Sequence, residues 1–265
     1  MQETVRKHGR KEGDHERPIY ASGSAHSLWF ERVTSKLGLP LWLGIPAVTL
    51  APAIGLWLLG SQVLLNDFTG VPIISLSLLI LNILFLAGSS RIISLRAEKL
   101  RLYTKTLSPK QGPEALDQLY RLTPVVPVWA LLLFASEFGF DPFIFKLSYS
   151  VYQVILRVIV TSYFRFAQAT FLWVLGYSMY SISKWGKLPV RLKPFTDDPT
   201  LGLRPYGTTS LQFVTLYIIA IFLTFPVGVY VGRPVLISQS IFFLLGLGIF
   251  LGPLLGLRKK LMQAK

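Results

Sequence analysis

Six apolar stretches, each long enough to cross a bilayer, constrain this chain more than any other feature. A hydrocarbon layer of about 30 Å is crossed by about 20 mainly apolar residues in an α-helix. Inside lipid the backbone must satisfy its own hydrogen bonds, which single helices do. We therefore predict an all-α fold, a polytopic transmembrane helix bundle of about six spans. The spans are Leu41–Leu65, Val71–Ser90, Pro124–Phe140, Phe166–Ile182, Ser210–Val231 and Val235–Leu257.

The third and fourth spans leave the number of crossings open. Pro124–Phe140 is short and has Glu137 near its end, so a re-entrant or interfacial segment is an alternative. Residues 147–183 predict one helix of about 55 Å, nearly twice the hydrocarbon thickness. Either one end of this helix protrudes from the membrane or the helix is broken.

Lys and Arg are unevenly distributed between the predicted loops. With the N-terminus in the cytoplasm and six crossings, 23 of the 27 basic residues fall in the inside segments, whereas Lys146 and Arg233 alone fall in the outside turns. The inside segments are 1–40, 91–123, 184–209 and 258–265. Because basic residues stay on the cytoplasmic side, we expect both termini to be cytoplasmic. We also expect the protein to lie in the plasma (cell) membrane.

The charge pattern also divides the chain into regions. Residues 1–40 predict a disordered basic tail followed by a short interfacial helix that starts near Leu28. Residues 41–257 form the transmembrane bundle, with cytoplasmic segments 91–123 and 184–209. Residues 258–265 form a basic C-terminal tail. Since no apolar run follows the start of the chain, we expect the first span to act as the insertion signal.

Composition narrows the ligands and partners that this chain can use. The net charge is +14, and only 15% of the residues are charged. In a membrane protein such an excess indicates anionic lipid headgroups or a protein partner at the cytoplasmic face, and we expect no nucleic acid. The chain has no cysteine, and its three histidines all lie in the N-terminal tail. We therefore expect no metal site and no cofactor.

A stripe of polar side chains follows the long helix at near-helical spacing. It consists of Gln153, Arg157, Thr161, Arg165 and Gln168, preceded by Tyr149. An arginine inside a membrane is a candidate functional residue, so the stripe predicts a lining for an anion or a polar headgroup. In the alternative interpretation Arg157 lies above the outer surface and Arg165 extends its side chain to the interface.

Glycines at four-residue spacing mark the last span. Gly248, Gly252 and Gly256 form a doubled G-x-x-x-G pattern, which lets two helices pack closely in lipid. The pattern is typical of homodimer interfaces. It equally fits an internal contact with the small residues of the first span.

The loop 187–209 combines prolines and glycines with the acidic pair Asp197 and Asp198. Proline restricts the backbone and glycine permits turns, so the loop is expected to be structured. The two acids, with Arg204 nearby, predict a cytoplasmic site for a cation or a basic partner. The alternative is a capped turn held by internal ion pairs.

This loop also carries a resemblance. Pro194-Phe-Thr-Asp-Asp-Pro-Thr-Leu-Gly-Leu-Arg-Pro-Tyr-Gly207 resembles a pattern in uncharacterised prokaryotic multi-pass membrane proteins. In those proteins a Pro-x-x-Asp stretch runs into Gly-Leu-x-Pro-x-Gly just before a late span. The resemblance implies a similar loop and topology and brings no known activity.

Three classes of function are compatible with these patterns. The sequence favours a non-enzymatic sensor, scaffold or accessory module whose basic face meets headgroups or a partner. The first alternative is a small transporter or channel for an anionic solute, which would use the polar stripe of the long helix. The second is an enzyme at the membrane surface that uses Asp197 and Asp198.

Overall fold

A computed structural model describes residues 27–51, 72–108, 115–137, 151–185, 188, 204–231 and 239–249. Within these ranges, only the backbone is described at 72–77, 136–137, 152–154, 156–157, 160 and 227–231. The described residues form seven α-helices and no strand, which confirms the all-α prediction for this part of the chain. The helices are α1 (Trp29–Lys36), α2 (Leu41–Ala51), α3 (Pro72–Leu107), α4 (Val125–Glu137), α5 (Val151–Trp185), α6 (Arg204–Val231) and α7 (Gln239–Ile249). A 3-10 helix, Leu116–Tyr120, lies between α3 and α4.

Two helices are long and apolar enough to cross a membrane. They are Leu78–Leu107 of α3 and Arg204–Pro226 of α6, and the number becomes three if α1 and α2 together make one bent span. This finding fits a membrane protein. The apolar segments Val125–Ala135 and Gln239–Ile249 are shorter than a full crossing. The number of six spans stays a prediction, since residues 52–71 and 250–257 lie outside the described ranges.

A sharp corner joins α1 to α2. The carboxylate of Glu31 accepts a hydrogen bond from the backbone N–H of Leu28 at 2.9 Å, which caps the start of α1. Gly38 ends the helix at φ +67, a left-handed conformation that favours glycine. The two helices then meet at 107°. Gly44 is needed at this corner, because a Cβ atom there would overlap the side chain of Thr34.

The two longest helices are unbroken. The 36 residues of α3 and the 35 of α5 correspond to about 54 Å and 52 Å, so each exceeds the hydrocarbon thickness. In α3 the charged residues after Ser90 continue the helix that the apolar segment begins. The predicted fifth span likewise starts earlier than its apolar pattern, because α6 begins at Arg204.

The core lies where α3 and α5 meet. α3 packs against α5 and α6, and α4 packs against α5. Fully buried side chains include Leu86, Ile93, Leu132, Phe171 and Phe213. α7 joins the core through Phe242, whose ring stacks on Phe171 at a centroid distance of 6.2 Å.

Many large apolar side chains of the described residues are exposed. Phe222 of α6 and Trp42 of α2 are each 73% exposed, and other exposed examples are Leu81, Leu131, Phe134, Ile218, Phe225 and Leu244. Exposure of such a surface to water is unfavourable, whereas lipid tails solvate it. The exposed apolar side chains therefore support the same conclusion as the long apolar helices α3 and α6, namely a membrane protein.

Candidate functional site

The stripe that the sequence predicts on the long helix lies along α5. All five of its residues are in this helix, but the side chains of Gln153 and Arg157 lie outside the described residues. Thr161 is half-buried. Arg165 and Gln168 are 1% and 0% exposed, so neither side chain reaches the surface of the bundle.

Arg165 and Gln168 belong to a buried hydrogen-bond network between α5 and α7. Arg165 Nη1 donates to Gln168 Oε1 at 2.7 Å. Gln168 Nε2 donates to Gln239 Oε1 of α7 at 3.1 Å. Gln239 is 6% exposed and absent from the sequence-predicted site. The position of this amide at the start of an otherwise apolar span was the signal that could have identified it.

The seam beside this network is tightly packed. Phe171 and Phe242, each three residues after a glutamine of the network, stack on one another. Further along, a Cβ atom on Gly176 would lie 3.2 Å from Cδ1 of Ile249, so glycine allows α7 to approach α5. The guanidinium carbon of Arg165 also lies 5.3 Å from the centre of the Phe164 ring. Apolar contacts thus join α5 and α7 further along the same seam.

A second buried polar pair joins α3 to α6. Asn82 Nδ2 donates to Thr224 Oγ1 at 2.9 Å, and the Thr224 hydroxyl donates to the carbonyl of Ala220. Among the described residues Asn82 Oδ1 has no hydrogen-bond partner. Such interhelical bonds stabilise contacts between apolar helices.

The short helix α1 is held against the bundle by polar contacts. Glu31 forms an ion pair with Arg91 of α3. Arg32 donates to the carbonyl oxygen of Tyr120 at 3.0 Å, and Trp29 Nε1 donates to Thr170 Oγ1 of α5 at 3.1 Å. The eight-residue helix α1 therefore contacts three other elements, namely α3, the 3-10 helix and α5.

The described residues include a set of exposed cations that are not in ion pairs with the described acids Glu31 and Glu98. The described acids Glu31 and Glu98 pair with Arg91 and Arg101, and Asp117 is exposed. The exposed cations of the described residues are Lys36, Arg96, Lys99, Lys105, Arg121 and Arg204, and we call this set the basic face.

Tyr120, beside the basic face, is a structural group. Burial raises the pKa of its phenol to about 12, with a smaller contribution from the nearby carboxylates Glu98 and Glu31. The phenol is consequently neutral at physiological pH. It packs in the core through its ring while its backbone carbonyl holds Arg32.

The remaining predicted site residues are only partly described. Asp197 and Asp198 lie outside the described residues, and Arg204 is exposed at the first position of α6. Gly252 and Gly256 also lie outside. A Cβ atom on Gly248 would meet no atom within 4 Å, whereas Gly246, two residues earlier, packs against Tyr217.

Comparison with known proteins gives no family or fold relationship. The sequence matches no protein-family model, and neither a curated protein nor a solved structure is significantly similar to the chain. Among the described residues, no three His, Cys, Asp or Glu side chains are grouped to hold a metal ion. The interpretation of this protein depends on its own geometry.

Proposed function

We propose that this chain is a non-enzymatic module of the plasma membrane whose basic face holds anionic lipid headgroups or an acidic partner. In this proposal six helices cross the membrane, and both termini and the basic face are cytoplasmic. The main support is the ion pair between Glu31 and Arg91, which attaches α1 to α3. Lys36 of α1 is therefore held in a fixed position relative to Arg96 and Lys99 of α3. Fixed cations lose little freedom when a headgroup binds, so a structured face binds better than a mobile tail.

The amphipathic character of α1 supports a position at the membrane interface. Phe30 is buried in the bundle, whereas Lys36 is exposed at the last position of the helix. α3 contacts α1 at Arg91 and continues for 16 residues beyond it, a length of about 24 Å. The exposed side chains Arg96 and Lys99 follow Arg91 within about two turns of α3, and in this proposal they lie at the depth of the lipid headgroups.

Lipid binding by the full-length protein tests this proposal. The purified chain is reconstituted in nanodiscs, and enrichment of anionic over zwitterionic lipid around the protein is measured at low and high salt. Each surface cation contributes about 1 kcal/mol, and salt screens the attraction, so enrichment is expected to fall as salt rises.

A charge-reversed variant and a charge-conserving variant make the test specific. K36E/R96E/K99E is expected to lose most of the enrichment, whereas K36R/R96K/K99R keeps it. Equal enrichment in the two variants would reject the proposal that these three cations hold headgroups.

The buried network favours a second candidate, a small transporter or channel for an anionic solute. Arg165 carries a positive charge among apolar helices, where ionisable side chains commonly mark a solute pathway. Flux of labelled anions into proteoliposomes tests this candidate, with Gln168→Met as the variant that breaks the network. No flux above empty liposomes across a panel of small anions would argue against transport.

A further inference from the structure

The network between α5 and α7 ends in a hydrogen-bond donor without an acceptor. Arginine only donates hydrogen bonds, so Arg165 fixes Gln168 Oε1 as an acceptor. Gln168 Nε2 must then donate to Gln239 Oε1, which fixes the orientation of the second amide as well. Gln239 Nε2 is consequently a buried donor, and it meets no acceptor among the described residues.

A buried donor of this kind normally binds water or an ion. Its burial removes it from bulk water, and no described group accepts a hydrogen bond from it. In native proteins nearly all buried polar groups have a partner, and an ordered water or an ion supplies it where the chain does not. A cation is excluded as that partner, because the free group is an N–H.

The direction of the hydrogen bonds distinguishes an anion from a neutral acceptor. The chain starts at a guanidinium, and every N–H in it points away from Arg165 towards Gln239. Hydrogen bonds in series polarise one another, so the last N–H carries more positive charge than an isolated amide. Charge-assisted hydrogen bonds to anions are about twice as strong as neutral ones.

We infer that Gln239 Nε2, at the end of the chain from Arg165 through Gln168, binds a small monovalent anion at the seam between α5 and α7. Gln239 is only 6% exposed, so the buried donor requires a small ligand. A halide or a small carboxylate supplies the required acceptor. This site is separate from the basic face and does not depend on lipid binding.

Thermal unfolding of the full-length protein in detergent without added lipid tests the inference. The melting temperature is measured in sodium bromide, sodium acetate and sodium gluconate at equal ionic strength. Bromide or acetate is expected to raise it saturably, by about 3–5 °C once the anion exceeds its Kd tenfold, whereas the bulky gluconate does not. The bromide and acetate series together show whether a halide or a carboxylate is the preferred ligand.

Two variants at one position and one control keep the result interpretable. Q239M and Q239L both remove the donor at nearly constant side-chain size, and each is expected to lose the anion response. N82L removes the other buried amide, between α3 and α6, and is expected to keep it. If one variant at position 239 does not fold, the other carries the comparison.

Two outcomes would overturn the inference. Equal melting temperatures in bromide, acetate and gluconate would indicate that water, rather than an anion, is the partner of Gln239. An anion response in a folded Q239M or Q239L equal to that of the native chain would place the anion elsewhere.

Discussion

Glu31 of α1 forms an ion pair with Arg91 of α3, although the two residues are 60 positions apart in the sequence. The side chains of Arg91 and Glu31 are 20% and 12% exposed, so water screens the pair only in part. The same carboxylate caps α1 by accepting the N–H of Leu28. One side chain therefore both starts the helix and attaches it to the bundle.

We expect Glu31→Gln to weaken the attachment of α1. Loss of the charge leaves Arg91 partly buried beside a neutral amide, which is expected to cost about 1–3 kcal/mol of unfolding free energy. The matched control is Glu98→Gln, whose pair with Arg101 is more exposed and lies within one helix. That control is expected to cost less than about 0.5 kcal/mol.

Thermal unfolding in detergent, followed by tryptophan fluorescence, measures the difference between E31Q and E98Q. Trp29, one of the six tryptophans that contribute to the signal, lies in α1 and donates a hydrogen bond to Thr170. Similar losses in the two variants would contradict a structural role for the pair between α1 and α3.

The pair Asn82 and Thr224 predicts an asymmetric effect of its two deletions. Thr224→Val leaves both the oxygen and the nitrogen of the Asn82 amide without a described partner, which is expected to cost about 1–3 kcal/mol. Asn82→Leu removes an amide that is already half unsatisfied, while Thr224 keeps its bond to the carbonyl of Ala220. We expect its cost to be below about 1 kcal/mol.

Urea or thermal unfolding of T224V, N82L and the double variant checks this order. The double variant is expected to be more stable than T224V alone, because no unpaired amide remains. A double variant less stable than T224V would show that the amide of Asn82 has another stabilising contact.

Two neighbouring glycines of α7 are expected to respond oppositely to the same change. Gly246→Ala adds a methyl group that overlaps atoms of the Tyr217 side chain, and the forced movement is expected to cost about 1–3 kcal/mol. Gly248→Ala meets open space and raises helix propensity, so it is expected to be neutral or to stabilise by up to about 1 kcal/mol. Melting temperatures of the two variants in detergent decide between these expectations, and a larger loss for G248A would reverse the assignment of the packed face.

The charge distribution predicts the location of both chain ends. Reporter domains fused to each terminus, with protease protection in sealed vesicles as the second measurement, are expected to place both ends in the cytoplasm. A C-terminal reporter on the outer face would rule out an even number of crossings that starts in the cytoplasm.

Much of the local structure follows from sequence patterns. Apolar length and proline placement predicted helices in the regions that became α3, α4, α5, α6 and α7, and the sequence near Leu28 predicted the short helix α1. These predictions succeed because helix periodicity and hydropathy act over one or two turns of chain. The spacing of Arg165 and Gln168 likewise placed both side chains on one face of α5.

The sequence by itself determined which segments are helical, which are apolar and which are basic, because these properties depend on residues that are close together in the chain. Only the tertiary structure decided that Gln168 meets Gln239, that Glu31 meets Arg91 and that Gly246, rather than Gly248, contacts Tyr217. Each of these contacts depends on the rotation and axial shift of one helix against another. The packing of many side chains sets that rotation and shift, and no local pattern records them.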